Sequence, residues 1–164
     1  MSDLIRPIGP DEAELYRDIR LEALRLHPDA FGASFENEAA NDLTFFRQRL
    51  TTSVVFAGIR GNALLGVVGF MQQSGAKRAH KGTLWGMYVR PEARGSGLSR
   101  LLVEAVLAHG RQHVELIQLG VATDNVAARQ LYVSMGFEPY GIESRALQVD
   151  GRYVDEVLMV KMLR

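Results

Sequence analysis

The chain has 164 residues, of which 47% are apolar, enough for the core of one domain. Nineteen basic and nineteen acidic residues cancel, so there is no overall basic field to attract nucleic acid or an anionic membrane. The absence of cysteine excludes disulfides, cysteine nucleophiles and thiolate metal sites.

The start, Met1-Ser2-Asp3-Leu4-Ile5-Arg6-Pro7, lacks the basic-then-apolar pattern of a signal peptide. The nearly uncharged stretch Ala63 to Met71 is too short to span a bilayer. A soluble cytoplasmic protein is therefore expected, as a single domain over residues 1–164.

Leu4 to Ile8 reads as a strand. Gly9-Pro10-Asp11-Glu12 then opens a helix, because proline suits the first turn and acids suit the positive end of the dipole. Leu15, Ile19, Ala23 and Leu26 mark its apolar stripe, and Pro28 stops it. The pattern is mixed from Phe31 to Leu50, with a second helix over Leu43 to Leu50. Strands are expected over Val54 to Arg60, Leu64 to Gln72 and Thr83 to Val89. Their hairpin-length links make them antiparallel neighbours.

After Arg90-Pro91 the period changes to helical, with Leu98, Leu101, Leu102, Ala105, Val106 and His109 on one face. Leu116 to Val121 is a short apolar strand. Asn125 suits the N-cap of a helix carrying Ala128, Leu131, Tyr132 and Met135, closed by Gly136. Two strands, Glu138 to Val149 and Tyr153 to Met162, flank Asp150-Gly151, a strong hairpin signal. The order β-α-α-β-β-β-α-β-α-β-β defines an α/β fold: a mixed, mostly antiparallel sheet of about seven strands with flanking helices.

Arg94-Gly95-Ser96-Gly97-Leu98-Ser99 lies between a strand and a helix. Such a loop can aim backbone N–H groups at an anion, aided by the helix dipole. It is neither a Walker loop, which ends in Lys and Ser or Thr, nor a full dinucleotide fingerprint, because the third glycine is replaced by Arg100. A plain glycine turn stays open at this point.

Two motifs together narrow the choice. Val89-x-Pro91-x-x-Arg94-Gly95-x-Gly97-Leu98 is followed some thirty residues on by Asn125-x-x-Ala128-x-x-Leu131-Tyr132-x-x-x-Gly136-Phe137. In this order and spacing the pair resembles the GNAT (Gcn5-related N-acetyltransferase) superfamily. The match runs from Gly86 to Phe137, and the element order agrees over nearly the whole chain. One position departs, since Ser99 stands where the family's loop ends in Gly or Ala.

The resemblance implies a GNAT fold and an acetyltransferase that uses acetyl-CoA, with no metal. It implies that Arg94, Gly95, Ser96, Gly97, Leu98 and Ser99 cradle the cofactor's pyrophosphate. The pantetheine arm would pair with the strand end at Met87, Tyr88 and Val89 as an added strand does. Gly86 is the site expected for the family's bulge, which frees N–H donors for the oxyanion of the tetrahedral intermediate. Tyr132 is implied as the general acid toward the departing thiolate, although its apolar stripe also suits a core residue. Asn125 is implied to touch the pantetheine arm as well as cap its helix. Arg129 is either a phosphate contact or an exposed arginine.

For the general base the candidates are Glu36, Glu38, Glu143, Asp124 and His80. Glu36 is preferred, because the loop after the first helix covers the acceptor site in the family. A solvated glutamate fits that position equally. His109 and His113 lack the glutamate of a zinc motif. Lys77 to Lys81 reads as a solvated turn or a docking patch for an acidic partner, and Trp85 as core.

The implied acceptor is a primary amine, with a small molecule slightly favoured over a protein N-terminus or lysine. A non-catalytic acetyl-CoA sensor is the alternative from another class. The resemblance also allows a homodimer through the C-terminal strands.

Overall fold

A computed structural model describes residues 2–164. They form β1 (Leu4–Ile8), α1 (Ala13–Leu26), α2 (Phe35–Ala39), α3 (Leu43–Thr52), β2 (Val54–Arg60), β3 (Ala63–Gln72) and β4 (Lys81–Val89). The second half holds α4 (Leu98–Arg111), β5 (Leu116–Ala122), α5 (Val126–Ser134), β6 (Glu138–Val149) and β7 (Arg152–Met162). The strands make one sheet in the order β1-β2-β3-β4-β5-β7-β6. All neighbours are antiparallel except β4 and β5. The mixed seven-strand α/β architecture is the one expected from the sequence.

Each sheet face has its own core. Leu98, Leu102 and Val106 of α4 pack with Val68, Phe70 and Leu119 on one face. Tyr16 and Ile19 of α1 pack with Phe46, Val55 and Val67 on the other. The α1 stripe differs in phase from the expectation: Ala13, Tyr16, Ile19, Arg20, Ala23 and Leu24 are buried, whereas Leu15 and Leu26 are exposed. α2 was not anticipated, since five residues are too short to display a helical period.

Two irregularities shape the site. The β4–β5 ladder runs only from Lys81 to Thr83 against Leu116 to Gln118, and the strands then diverge. On its other edge β4 slips register between Trp85 and Tyr88, where one residue of β3 opposes two of β4. Gly86 lies there at φ 65, a left-handed conformation that favours glycine. The slip is the expected bulge. It resets the alternation, so Leu84, Met87 and Val89 face α4 while Trp85 and Tyr88 face α1.

The β6–β7 hairpin turns through Asp150 and Gly151, both at positive φ, as the Asp-Gly pair predicts. No helix among the described residues is long and apolar enough to cross a membrane.

Candidate active site

The site grows out of the divergence of β4 and β5. Past Thr83, among the described residues, no strand pairs with the β5-facing edge of β4. Arg90 donates its N–H to Leu65 of β3, so the polar groups of Val89 point the other way, toward the gap. Beyond Val89, Pro91–Ala93 form a 3₁₀ turn and the glycine loop leads into α4.

Gly95 and Gly97 are left-handed, at φ 75 and 87. An added Cβ at either would meet nothing within 4 Å. Among the described residues, no acceptor takes the N–H groups of Gly95, Gly97, Leu98, Ser99 or Arg100. These donors sit at the head of a fourteen-residue helix, and all five residues line one cavity.

A cavity of about 610 Å³ follows the gap and reaches the loop. Met87, Tyr88, Val89, Arg94, Gly95, Gly97, Leu98, Ser99, Asn125 and Tyr132 all line it. His27, Ala30 and Phe31, from the α1–α2 connection, complete its wall. No Asp or Glu lines it among the described residues. A smaller cavity of about 80 Å³ lies deeper, between Gly86 and Met87 on one side and Gly120 and Val121 on the other. Asn125 and Tyr132 border both spaces.

Asn125 caps α5, its Oδ1 accepting from Ala128 N at 3.3 Å, and its amide nitrogen has no partner among the described residues. Tyr132 is 5% exposed and packs edge-on against Phe137. Its hydroxyl has no hydrogen-bond partner among the described residues, and burial pushes the phenol pKa well above its ordinary value. The Tyr88 hydroxyl donates to Glu22 at 2.6 Å on the α1 side. Burial, then that carboxylate, pushes the Tyr88 pKa up to about 12. Tyr88 therefore has its phenol held on the α1 side, and its backbone pairs with Val67 of β3.

Arg94 spans the cavity mouth. Its Nε donates to Val89 O at 3.2 Å and its Nη2 lies 3.1 Å from His27 Nε2. Burial first, then the Arg94 charge, lowers the His27 pKa, which leaves its imidazole neutral at pH 7.

Two expected site residues stand apart. The Ser96 hydroxyl folds back onto Ala93 O, which also accepts the Ser96 N–H at 3.3 Å. Glu36 is exposed and lines a different cavity, between the α1–α2 connection and the β6–β7 turn. Phe31 is the wall common to that cavity and the one holding Tyr132. The first turn of α2 carries Glu36 outward and Glu38 inward.

The other base candidates disperse too. Glu38 is buried and held by Arg20 and Arg49. Asp124 lies in a lateral cavity near the Asp29–Arg152 ion pair. Glu143 is exposed on β6, opposite Glu156. His80 precedes β4 and so stands at the far end of that strand from Met87 to Val89. Arg129 Nη1 donates to Thr123 O at 2.7 Å.

Sequence reasoning missed Arg20, whose signal was a charge inside the true α1 stripe. It also missed His27 and Phe31 as cavity walls. Trp85 packs against the α1-side core as expected, has the Arg20 and Arg49 guanidiniums 5.6 and 5.5 Å from its ring centre, and also borders two cavities. Among the described residues, no three His, Asp or Glu side chains group closely enough to hold a metal ion.

The chain belongs to the acetyltransferase (GNAT) family, whose model matches residues 14–137. Solved structures share the fold over nearly the whole chain. A GNAT-family acetyltransferase from Streptococcus pneumoniae superposes with a TM-score of 0.87 at 22% identity, covering 98% of this chain and 99% of that one. The structure of yncA from Salmonella typhimurium, with its cofactor acetyl-CoA, gives 0.83 at 20% identity, covering 100% and 95%. A ribosomal-protein-alanine N-acetyltransferase from Brucella melitensis gives 0.81 at 23% identity, covering 97% and 99%.

Proposed function

We propose that this protein transfers the acetyl group of acetyl-CoA directly to a primary amine, a small-molecule amine being preferred to a protein N-terminus or lysine. The observation that carries the reading is the single cavity that joins the Tyr132 phenol, the diverging edge of β4 and the unpaired loop amides.

The residues fit the cofactor. The free N–H groups of Gly95, Gly97, Leu98, Ser99 and Arg100 suit a pyrophosphate, and the bare glycine Cα positions let it approach closely. Ser99, where the family carries Gly or Ala, keeps its N–H available and lines the cavity. The free edge of β4 at Met87 to Val89 suits an extended amide-bearing arm, and Asn125, whose amide nitrogen has no partner among the described residues, lines the same cavity.

When bound, acetyl-CoA supplies the activated acetyl group. Donors freed at the Gly86 bulge would hold charge that develops on the carbonyl oxygen. Tyr132 Oη would release its proton to the sulfur as that bond breaks. A phenol with an ordinary pKa near 10 is already protonated at neutral pH, and burial holds that proton more tightly still. The cofactor cavity has no Asp or Glu in its lining among the described residues, so the amine's proton would pass to solvent rather than to a carboxylate of that cavity.

The edge strand β6 exposes Tyr140 and Ile142, and a homodimer joined along this edge belongs to the same reading. Sedimentation of the purified chain tests it.

Titration calorimetry with acetyl-CoA, followed by a thiol-release assay against an amine panel, tests the main reading. Saturable binding with thiol release is the expected result. Folded protein that fails to bind acetyl-CoA would overturn it.

A further inference from the structure

Arg20 occupies a core position of α1, and its side chain is only 8% exposed. Its Nε and Nη2 donate to Glu38 at 3.0 and 3.1 Å. Arg49 Nη1 and Nη2 donate to the same carboxylate at 3.0 and 3.2 Å. Two guanidiniums against one carboxylate leave a positive charge on the cluster. Arg20 Nη1 has no acceptor among the described residues. It stands 3.4 Å from where a Cβ on Gly86 would be, beside the bulge.

The Arg20 guanidinium lies between Phe31 and Trp85, 5.5 and 5.6 Å from their ring centres. Phe31 is a wall of the proposed cofactor cavity, and Trp85 borders the deeper gap beside Tyr132. Trp85 also borders a further cavity of about 430 Å³, lined by Arg20, Phe45, Gln48, Arg49 and Met71. Glu38 is the carboxylate in that lining, and both its oxygens are already engaged.

A buried guanidinium with an idle donor, in the lining of a cavity that has spare positive charge, suits an anion. Its place beside the bulge sets how near that anion must be to the reacting amine. The geometry points to an α-amino acid as the acceptor, its carboxylate on Arg20 Nη1 and its side chain in the cavity between Phe45 and Trp85. This rests on the acetyl-transfer reading. The neutral amine forms its N–C bond to the acetyl carbon as the C–S bond breaks. The sulfur leaves with the electron pair and takes one proton, and the amine loses one. The products are an N-acetyl amino acid and the free thiol. A peptide N-terminus lacks the adjacent carboxylate and would not satisfy Arg20.

The test uses the full chain, acetyl-CoA and the common amino acids other than tryptophan, each paired with its amide and its decarboxylated amine. At least one free acid should exceed its amide and amine by about 10- to 100-fold in kcat/KM, the selectivity of a hydrogen bond to a charged group. Trp85 is the sole tryptophan, so its emission reads binding without turnover. That acid should shift the emission saturably in the presence of CoA, and its amide should not. Arg20→Lys should narrow the preference for the acid over its amide about tenfold, with acetyl-CoA affinity by calorimetry as the check that the cofactor site is still formed.

The inference is overturned if amides and plain amines serve as well as acids, or if no free acid moves the Trp85 emission. Either result leaves the acetyltransferase reading standing when calorimetry shows acetyl-CoA bound. Loss of acetyl-CoA binding itself would overturn the underlying reading.

Discussion

Arg20 and Glu38 face each other across the α1–α2 connection in a two-pronged ion pair, and Arg49 closes on the same carboxylate from α3. The Glu38 side chain is 5% exposed. Taking away one partner of such a group strands the others without water. Glu38→Ala should therefore cost about 3–5 kcal/mol of stability, read from urea unfolding. A cost below about 1 kcal/mol would show that the three side chains do not act as one unit.

The same cluster sets an acid limit. Burial raises the Glu38 pKa, but hydrogen bonds from Arg20 and Arg49 outweigh it and hold the carboxyl below its ordinary 4.5. The folded state thus binds this proton more weakly than the unfolded chain does. The contribution is fully present above about pH 4.5 and is lost as pH falls through the lower folded value. The urea midpoint should drop more steeply below pH 4.5 in the wild type than in Glu38→Gln. Parallel curves would contradict this.

Tyr132→Phe removes a hydroxyl that has no partner among the described residues, so the fold should be indifferent to it. Loss of a general acid should lower kcat by about 10²- to 10⁴-fold, while calorimetry shows acetyl-CoA affinity nearly unchanged. Because burial raises the phenol pKa, the wild-type rate should keep rising to about pH 10, the ordinary tyrosine value, as the amine deprotonates. A fall between pH 7 and 9 would assign the proton to another group.

Gly97 adopts φ 87 with open space around it. Alanine there would suffer backbone strain rather than collision, about 1–2 kcal/mol. Gly97→Ala should lower both Tm and acetyl-CoA affinity. Gly9→Ala is the control, because Gly9 also has open space but sits at φ −107. Equal effects from both substitutions would remove the special role given to the loop.

Gly69 supports the Trp85 ring. A Cβ added there would come within 2.2 Å of the indole. Gly69→Ala should destabilise by about 1–3 kcal/mol through overpacking and shift the tryptophan emission. An unchanged spectrum would mean that the ring has room to move.

The glycine loop, the Asn125 cap and the Asp150-Gly151 hairpin were legible in the sequence because each depends on a few adjacent residues with special backbone needs. The Gly86 bulge was legible only through the family resemblance, because the residues around one strand glycine do not separate a bulge from an ordinary strand position. The acidic candidates were not. Glu36 and Glu38 are two residues apart on a five-residue helix, and only its packing decides which one turns inward. Leu15 and Leu26 drew the α1 stripe off its true phase, which hid Arg20 among the polar positions. The cavity beside Trp85 is assembled from α1, α2, α3, β3 and β4, so no local pattern encodes it.

Lys81 to Thr83 and Leu116 to Gln118 are the stitches between β4 and β5. On one side of this seam lie β1 to β4, and on the other β5, β7 and β6, with α4 lying across it. The molecule is built like a book bound at one end of its spine. Its resistance to being prised open depends on what is wedged between the boards. A ligand seated in the gap should act as a brace, raising the force needed to part the two halves in a single-molecule pull across the seam, while a pull confined to β1–β4 should barely register its presence.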